Sequence, residues 1–186
     1  MTEARALALV KMKFAYQPVV LEHVMLVKEK AEEIAKKLIQ SGVKVDLELV
    51  KVGALIHDIG RSVTHDIRHG IIGGEILREL GYPELARFAE THIGGGISKE
   101  EAKKLGLPPK DYFPKTLEEK IVAYADKFVE GEIEFSSSPT EDVKRKNIKY
   151  DTILPTIKKY ERVLGKDHPA IKRLINLQRE IESLIK

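Results

Sequence analysis

The sequence contains no cysteine in its 186 residues. Disulfide bonds and thiolate metal sites are therefore excluded, and a metal ion would need histidine and carboxylate ligands, which suit Fe, Mn, Zn, Co or Ni. Strong charge imbalance is also lacking, because 32 basic residues are matched by 29 acidic ones and leave a formal charge of +3. Such a mixed surface does not favour nucleic acid as a partner.

Long apolar runs are absent as well. No stretch approaches the roughly 20 apolar residues of a membrane-spanning helix, and Met1–Val10 lacks the apolar run of a signal peptide. We therefore expect a cytoplasmic protein with no membrane partner. Asn and Gln are rare whereas Lys and Glu are abundant, a composition that resembles thermophilic proteins. The length suits one domain over 1–186.

Apolar residues recur with helical spacing along most of the chain, and no strand-like alternation stands out. The pattern predicts an all-α fold whose first strong helix begins at Pro18. The predicted helices cover about 18–40, 46–60, 66–80, 83–92, 98–106, 116–127, 140–149, 153–164 and 169–185. A surface loop is predicted over 130–139, which is acidic and then rich in serine.

Several local signals support these boundaries. Asp46 is a predicted N-cap, and Ser98–Glu101 and Thr116–Glu119 are predicted capping boxes. Gly60 suits a left-handed helix stop. Three glycines inside the helix over 66–80 would each cost about 1 kcal/mol relative to alanine, which indicates close backbone packing beside a crowded site.

The most informative segment is Ala54–Gly60, in which His57 and Asp58 stand side by side at the end of an apolar run. Burying both without partners would be costly, and a divalent metal satisfies both. Asp58 has two oxygens and could bridge two ions. Further candidate ligands lie on separate predicted helices, and a helical bundle can direct them into one cavity. These candidates are His23, His69, His92 and Asp126.

Each candidate also has a purely structural interpretation. His23 alone fits a satisfied core histidine, the His57–Asp58 pair fits a charge pair at a helix C-terminus, and His92 fits a C-terminal cap. Asp126 follows an apolar turn, where a buried carboxylate needs either a metal or a salt bridge. Together these interpretations require several unrelated coincidences, so we favour one shared metal site.

The series His23, His57-Asp58 and Asp126 resembles the HD-domain phosphohydrolase superfamily, with His57–Gly60 as its HDIG variant. His69-Gly70 and His92 before a glycine-rich turn resemble the second-metal histidines of dinuclear members. Tyr124–Lys127 is similar to the corresponding segment of the symmetrical diadenosine tetraphosphate hydrolases.

The resemblance spans about Leu21–Gly131 and implies an all-α, HD-domain-like helical bundle. It divides the chain into an HD-domain core over 18–131 and a C-terminal helical extension over 140–186. It also implies hydrolysis of a phosphoester or phosphoanhydride with divalent metal ions, two in dinuclear members. By position, the implied ligands are His23, His57, Asp58 and Asp126 for one ion, and Asp58, His69 and His92 for the second.

Basic side chains near these ligands are candidates for substrate binding and catalysis. Arg61 follows the motif, and its planar guanidinium suits either a phosphate or a carboxylate of the site, the structural alternative being a plain surface arginine. His65 is one helical turn before His69, so it is either a substrate contact, a proton donor or the true second-site ligand. Lys127 and Arg68 either neutralise substrate charge or are plain surface charges. Asp58, Arg61 and His65 are thus the predicted catalytic residues, and Arg61, His65 and Lys127 the predicted substrate contacts.

The sequence is best interpreted as a metal-dependent phosphohydrolase of a small phosphorylated substrate, such as a nucleotide or dinucleotide, that uses metal-activated water. The alternative is a metal-stabilised nucleotide-binding or regulatory module without turnover. An RNA-binding scaffold is a weaker third interpretation, because the basic cluster over 144–149 is short. A glycine-rich loop over 94–96 suits a lid. The apolar faces of the tail helices fit either their own core or a second subunit, as in a homodimer.

Overall fold

The computed structural model describes residues 1–134 and 144–185. This part of the chain is mostly helical, with one small antiparallel sheet. The helices are α1 (Glu3–Lys13), α2 (Pro18–Gln40), α3 (Leu47–Ile56), α4 (His69–Glu79), α5 (Ala86–Thr91), α6 (Lys99–Lys104), α7 (Leu117–Ala125), α8 (Leu154–Leu164) and α9 (Pro169–Ser183). The strands are β1 (Val129–Glu134) and β2 (Lys144–Lys149). The predicted all-α, HD-domain-like helical class is confirmed, with the sheet as a small addition.

Helix α3 forms the centre of the bundle. Helices α1, α2, α5 and α7 all pack against it, so its apolar residues are buried on every side. Helix α2 is amphipathic and buries one stripe, as its periodicity predicts. The stripe consists of Val24, Val27, Ala31, Ile34, Ala35 and Leu38. Because α3 is enclosed, its C-terminal residues His57 and Asp58 are also buried.

Two of the local helix signals are confirmed. The Asp46 side chain accepts a hydrogen bond from the Leu49 N–H (2.9 Å), and Ser98 and Glu101 form a reciprocal capping box. Helix α1 lies before Pro18, where no helix is predicted. Its short apolar stripe is buried on the bundle, which supplies the stability that its sequence pattern alone does not reveal.

Two other local predictions are wrong. Thr116 accepts from the Glu119 N–H, but the Glu119 carboxylate turns to Arg87 and to the Lys115 N–H, so only half of the second capping box forms. Gly60 does not have a positive φ; it lies in a 3-10 turn over Ile59–Ser62. A Cβ at Gly60 would lie 1.9 Å from the His69 carbonyl oxygen, so this glycine permits close approach of α4.

The glycines of α4 serve the same packing, as the sequence predicts. A Cβ at Gly70 would lie 2.9 Å from the Ala89 carbonyl oxygen, and one at Gly73 would lie 2.9 Å from the Ala89 Cβ. Helix α4 therefore packs closely on α5 as well as on the Ile59–Ser62 turn. This contact brings His69 and His92 to the same end of the bundle.

The segment after α7 differs from its prediction. The expected helix over 140–149 is wrong over its described part, because Lys144–Lys149 is strand β2 and pairs with β1 in a register that sets Gly131 opposite Asn147. The start of that predicted helix, 140–143, lies outside the described residues. The expected loop is wrong over 130–134, which belongs to β1, and its remainder lies outside the described residues. The pairing between strands decides the structure here, because the local pattern of 144–149 is weak for either state.

The last two helices lie close to their predicted ranges. Helix α9 packs on α7 and α8, and buries Ile171, Leu174, Leu177 and Ile181 in the same apolar core as α2 and α3. None of the helices in residues 1–134 and 144–185 is long and apolar enough to cross a membrane.

Candidate metal centre

The candidate ligands all lie at one end of the bundle, at the ends of different helices. His57 and Asp58 follow α3, His69 begins α4, His92 follows α5, and Asp126 follows α7. The sixth, His23, lies in the second turn of α2. All six side chains are largely buried or half-buried, and most of them line one cavity of about 440 Å³. The fold thus brings together every ligand that the sequence analysis proposes.

Three of the histidines are oriented by the same local device. In each, Nδ1 lies within hydrogen-bond distance of the backbone carbonyl oxygen three residues earlier in the chain. The acceptors are Ala54 for His57 (2.7 Å), Asp66 for His69 (2.6 Å) and Ala89 for His92 (2.7 Å). A carbonyl oxygen only accepts, so Nδ1 carries the hydrogen and the Nε2 lone pair of the neutral ring points into the cavity.

The Asp58 carboxylate divides these histidines into two groups. Its Oδ1 lies 3.2 Å from His69 Nε2 and 3.3 Å from His92 Nε2. Its Oδ2 lies 3.6 Å from His23 Nε2 and 3.9 Å from His57 Nε2. One carboxylate therefore faces a separate pair of histidines with each oxygen.

Asp126 completes the group on the Oδ2 side. Its Oδ1 lies 3.1 Å from His23 Nε2 and 3.5 Å from His57 Nε2. On the other side, the Nε2 atoms of His69 and His92 lie 3.1 Å apart. Nitrogen and oxygen ligands about 2.0–2.2 Å from one ion are expected to lie roughly 3–3.5 Å from each other, and most of these distances fall in that range.

The donor set fits divalent metal ions on electrostatic grounds as well. Lone pairs of His69 and His92 point at each other and at a carboxylate oxygen, an arrangement that is unfavourable without a cation between them. In the described structure, His57 Nε2 and Asp58 Oδ1 are buried without a hydrogen-bond partner. Buried polar atoms are rarely left unsatisfied. Two groups have ligand atoms within 4.8 Å of one another: His23, His57 and Asp126, and His57, Asp58 and His92.

The titration behaviour points the same way. Burial disfavours the Asp58 carboxylate, but the neighbouring His57, His69 and His92 outweigh it and hold the pKa of Asp58 well below its usual range. Burial lowers the pKa of His92 to about 4, so its ring is neutral near pH 7. Burial also opposes charge on His57, yet the two aspartates raise its pKa. The cavity therefore favours positive charge between the carboxylates and the imidazoles.

The predicted catalytic and substrate residues differ in where they lie. Arg61 Nε donates to Asp58 Oδ2 at 2.5 Å, and the Arg61 side chain lines the cavity. Lys127 is buried and its ammonium contacts Asp126 Oδ2. His65 is exposed and lines the same cavity. Arg68 does not line it; its guanidinium is exposed and pairs with Asp66.

The glycine-rich loop after His92 does not have the features expected of a lid. Gly94, Gly95 and Gly96 are buried. The Arg173 guanidinium of α9 donates to the Gly96 carbonyl oxygen (2.9 Å and 3.2 Å) and also to the Glu101 carboxylate. A Cβ at Gly95 would lie 2.6 Å from the Leu174 nitrogen, so the loop is packed against α9. The loop holds the turn after His92 in place.

The cavity also has lining residues that the sequence analysis does not identify. They come from β1, β2 and α8, and include Val129, Glu130, Asn147, Lys159 and Tyr160. Asn147 Nδ2 donates to the Val19 carbonyl oxygen and to the Glu22 carboxylate (both 2.8 Å), which joins β2 to the start of α2. These residues carry no motif, and only the pairing and packing of the tail bring them to the cavity.

Several known proteins are similar to this chain in sequence. An uncharacterized protein of Methanocaldococcus jannaschii is 53% identical over 168 residues, which are 90% of each chain. A tRNA (cytidine(56)-2'-O)-methyltransferase of Thermoplasma volcanium is 46% identical over 121 residues, which are 64% of this chain and 34% of that enzyme. A ribonuclease Y of Petrotoga mobilis is 34% identical over 79 residues, 41% of this chain and 14% of that protein. The chain thus spans only part of these two named enzymes.

Among solved structures, the HD domain of the L. monocytogenes phosphodiesterase PgpH, also solved with cyclic-di-AMP, matches with a TM-score of 0.49 and 21% identity. The match covers 94% of this chain and 96% of that one. A likeness at this level says nothing about ligands. The HD-domain family itself matches residues 20–130, more than half of the chain and the segment that holds all six candidate ligands. The chain belongs to the HD-domain family.

Proposed function

We propose that this protein is a metal-dependent phosphohydrolase that cleaves a phosphoester or phosphoanhydride of a small phosphorylated substrate, a nucleotide or dinucleotide. The observation that carries the proposal is the Asp58 carboxylate, which faces His69 and His92 with one oxygen and His23 and His57 with the other. A carboxylate shared in this way suits two ions, one on each side.

In this proposal, His23, His57, Asp58 and Asp126 would hold one ion, and Asp58, His69 and His92 would hold the second. Two bound divalent ions would supply Lewis-acid charge and activate water for attack on phosphorus. The chain's own residues do the rest. Backbone carbonyl oxygens fix the tautomer of three imidazoles and aim their Nε2 atoms inward, and burial of Asp58 keeps water from competing for its oxygens.

Arg61 and Lys127 contribute positive charge where the phosphoryl oxygens would lie. Arg61 uses Nε on Asp58, which leaves its terminal nitrogens on a side chain that is about 30% exposed at the cavity. Such a guanidinium is well suited to a phosphate oxygen. Lys127 is held beside Asp126, and burial and that carboxylate fix its position. His65, which is exposed and lines the cavity, is the proposed proton donor to a leaving group.

A second candidate is the same hydrolysis on an RNA phosphodiester. It is favoured by one observation, the partial similarity to two groups of relatives whose names describe RNA enzymes. The balanced charge of the chain favours the small-substrate proposal. Methyl transfer is not proposed, because the match covers about a third of the methyltransferase.

The test begins with protein stripped of metal and reloaded separately with Mn²⁺, Fe²⁺, Zn²⁺, Co²⁺ or Ni²⁺. Metal content is measured by elemental analysis, and turnover on a panel of mononucleotides, dinucleotides and a short RNA. We expect roughly two ions per chain and turnover only in the loaded protein. Loaded protein that binds nucleotides without cleaving any substrate would instead establish the non-catalytic binding module.

The two-ion arrangement is tested by comparing two histidines four residues apart. His69 begins α4, whereas His65 precedes this helix and so, contrary to the sequence prediction, does not share its face. His69→Ala is expected to retain about one ion and to lose most activity, because His69 contacts only the Oδ1 side of Asp58. His65→Ala is the matched control and is expected to retain full metal content. The reverse result would exchange the roles of the two histidines.

A further inference from the structure

The cavity has two chemically different parts. One is the cluster of histidines and aspartates. The other, the C-terminal lining, is defined by Val129, Glu130, Asn147, Lys159 and Tyr160. A cavity of about 440 Å³ falls within the roughly 300–1,000 Å³ of small-molecule sites, so it has room for more than a phosphate.

The polar groups of the C-terminal lining are mostly engaged with the protein. Lys159 Nζ lies 3.5 Å from Glu130 Oε2, so the two charges offset each other. Both hydrogens of the Asn147 amide nitrogen are directed at acceptors of α2. This lining therefore offers little net charge to a phosphate. Because Val129 is only 3% exposed, the apolar group that the lining offers to a ligand is the half-buried ring of Tyr160.

Tyr160 stands next to the candidate metal ligands. Its Cε2 lies 3.8 Å from the point that a Cβ of Gly94 would occupy, and Gly94 is two residues after His92. The ring thus lies beside the turn after His92. It is half-buried, packs on the core and lines the cavity.

We propose that Tyr160 is a specificity-determining residue that stacks on the base of a nucleotide whose phosphate lies among the histidines. The placement of the phosphate rests on the proposed function, whereas the placement of the base rests on the residues of the C-terminal lining. A phosphate alone would use only the charged part of the cavity. An aromatic ring in the lining of the cavity suits a planar base, and stacking on a tyrosine tolerates any base.

The experiment compares adenosine 5′-monophosphate with ribose 5-phosphate, which lacks the base, on the metal-loaded full chain. Tyr160→Ala and Tyr160→Leu remove the ring, and Leu retains apolar packing. Both are expected to lower kcat/KM for the nucleotide about five- to a hundred-fold and to leave ribose 5-phosphate unchanged. Tyr160→Phe is expected to behave as wild type. The control is Tyr16→Ala, because Tyr16 is 98% exposed and does not line the cavity.

A second measurement does not depend on hydrolysis. Calorimetric binding of adenosine is expected to weaken by the same factor in Tyr160→Ala and Tyr160→Leu but not in Tyr160→Phe. If neither these two substrates nor any member of the nucleotide panel is hydrolysed but adenosine binding follows this pattern, the proposed function fails and the role of Tyr160 stands. If both substrates are hydrolysed and Tyr160→Leu equals wild type on each, the proposed function stands and the role of Tyr160 is overturned. Equal losses on both substrates would also overturn it.

Discussion

Two sets of buried carboxylates in this protein have opposite surroundings. Glu90 and Glu119 are each 5% exposed, and both are neutralised by basic side chains. Glu119 accepts two bonds from Arg87 (2.7 and 2.9 Å) and one from the Lys115 N–H (2.7 Å). Glu90 pairs with Arg78 (2.8 Å) and Lys110 (3.3 Å).

Asp58 is buried to a similar degree, at 2% exposure, but it faces imidazole lone pairs as well as one guanidinium. Its Oδ1 has no hydrogen-bond partner in the described structure. The comparison teaches that a buried charge does not by itself indicate a functional site. What distinguishes the metal centre is that acceptors face acceptors, and only a cation satisfies such an arrangement.

The largest expected effect separates these two sets. Asp58→Ala should reduce turnover to the background rate and abolish the stabilisation that metal confers, because both proposed ions share this carboxylate. In the wild type, metal at 100 times its Kd should stabilise the fold by about 2.7 kcal/mol, or roughly 5–11 °C in Tm. Calorimetry with and without metal measures the stabilisation and the shift in Tm. A metal-induced Tm shift that survives in Asp58→Ala would contradict the shared-carboxylate arrangement.

The converse change should affect folding and spare the metal centre. Glu119→Ala leaves Arg87 without its carboxylate, and because Arg87 is about one third exposed we expect a cost of about 2–3 kcal/mol, or roughly 4–12 °C in Tm. The metal-induced Tm shift should remain as in the wild type. A loss of metal content in Glu119→Ala would remove the distinction between the two sets.

Arg61 has two kinds of contact in the metal centre. Its guanidinium pairs with Asp58, and its side chain also lines the cavity. Arg61→Ala should retain the metal and lower kcat/KM about ten- to a hundred-fold, which corresponds to the loss of about 1.5–3 kcal/mol of charged hydrogen bonding to a phosphate. Kinetics at matched metal content measure this loss. Unchanged kcat/KM would show that Arg61 serves Asp58 alone and would leave Lys127 as the phosphate contact.

The smallest effect is expected at a surface ion pair. It gives a baseline against which the effects at the buried carboxylates are judged. Lys28 and Lys36 lower the pKa of Glu32 to about 2. Because the pKa is depressed on folding, this contribution is present above pH 4.5 and is lost as the pH falls toward 2. Glu32→Gln should cost only about 0.3–1 kcal/mol at pH 7 and nothing near pH 2. Urea unfolding of the wild type and of Glu32→Gln, at pH 7 and near pH 2, measures this difference in stability.

Much of the helical framework could be predicted from the sequence. The stripe of α2 and the caps at Asp46 and Ser98 depend on residues within one or two turns, so local pattern predicts them well. The same reasoning fails for α1 and for Lys144–Lys149. Helix α1 is stabilised by burial against α3, and β2 by pairing with β1, and both partners are distant in the chain.

The sequence by itself determined which side chains are available as ligands. Cysteine is absent, and His57-Asp58 at the end of an apolar helix already requires partners for two buried polar groups. It also indicated that α4 must pack closely, because only glycine allows backbone atoms to approach as they do at Gly70.

Only the tertiary structure decided how those side chains are used. The two oxygens of Asp58 face different histidines because four helices meet around the end of α3, a geometry that no local spacing contains. The same holds for Tyr160 and the rest of the C-terminal lining, which strand pairing and helix packing bring to the cavity. Contacts between distant segments depend on the summed burial of the whole core, and so they appear only once the chain is folded.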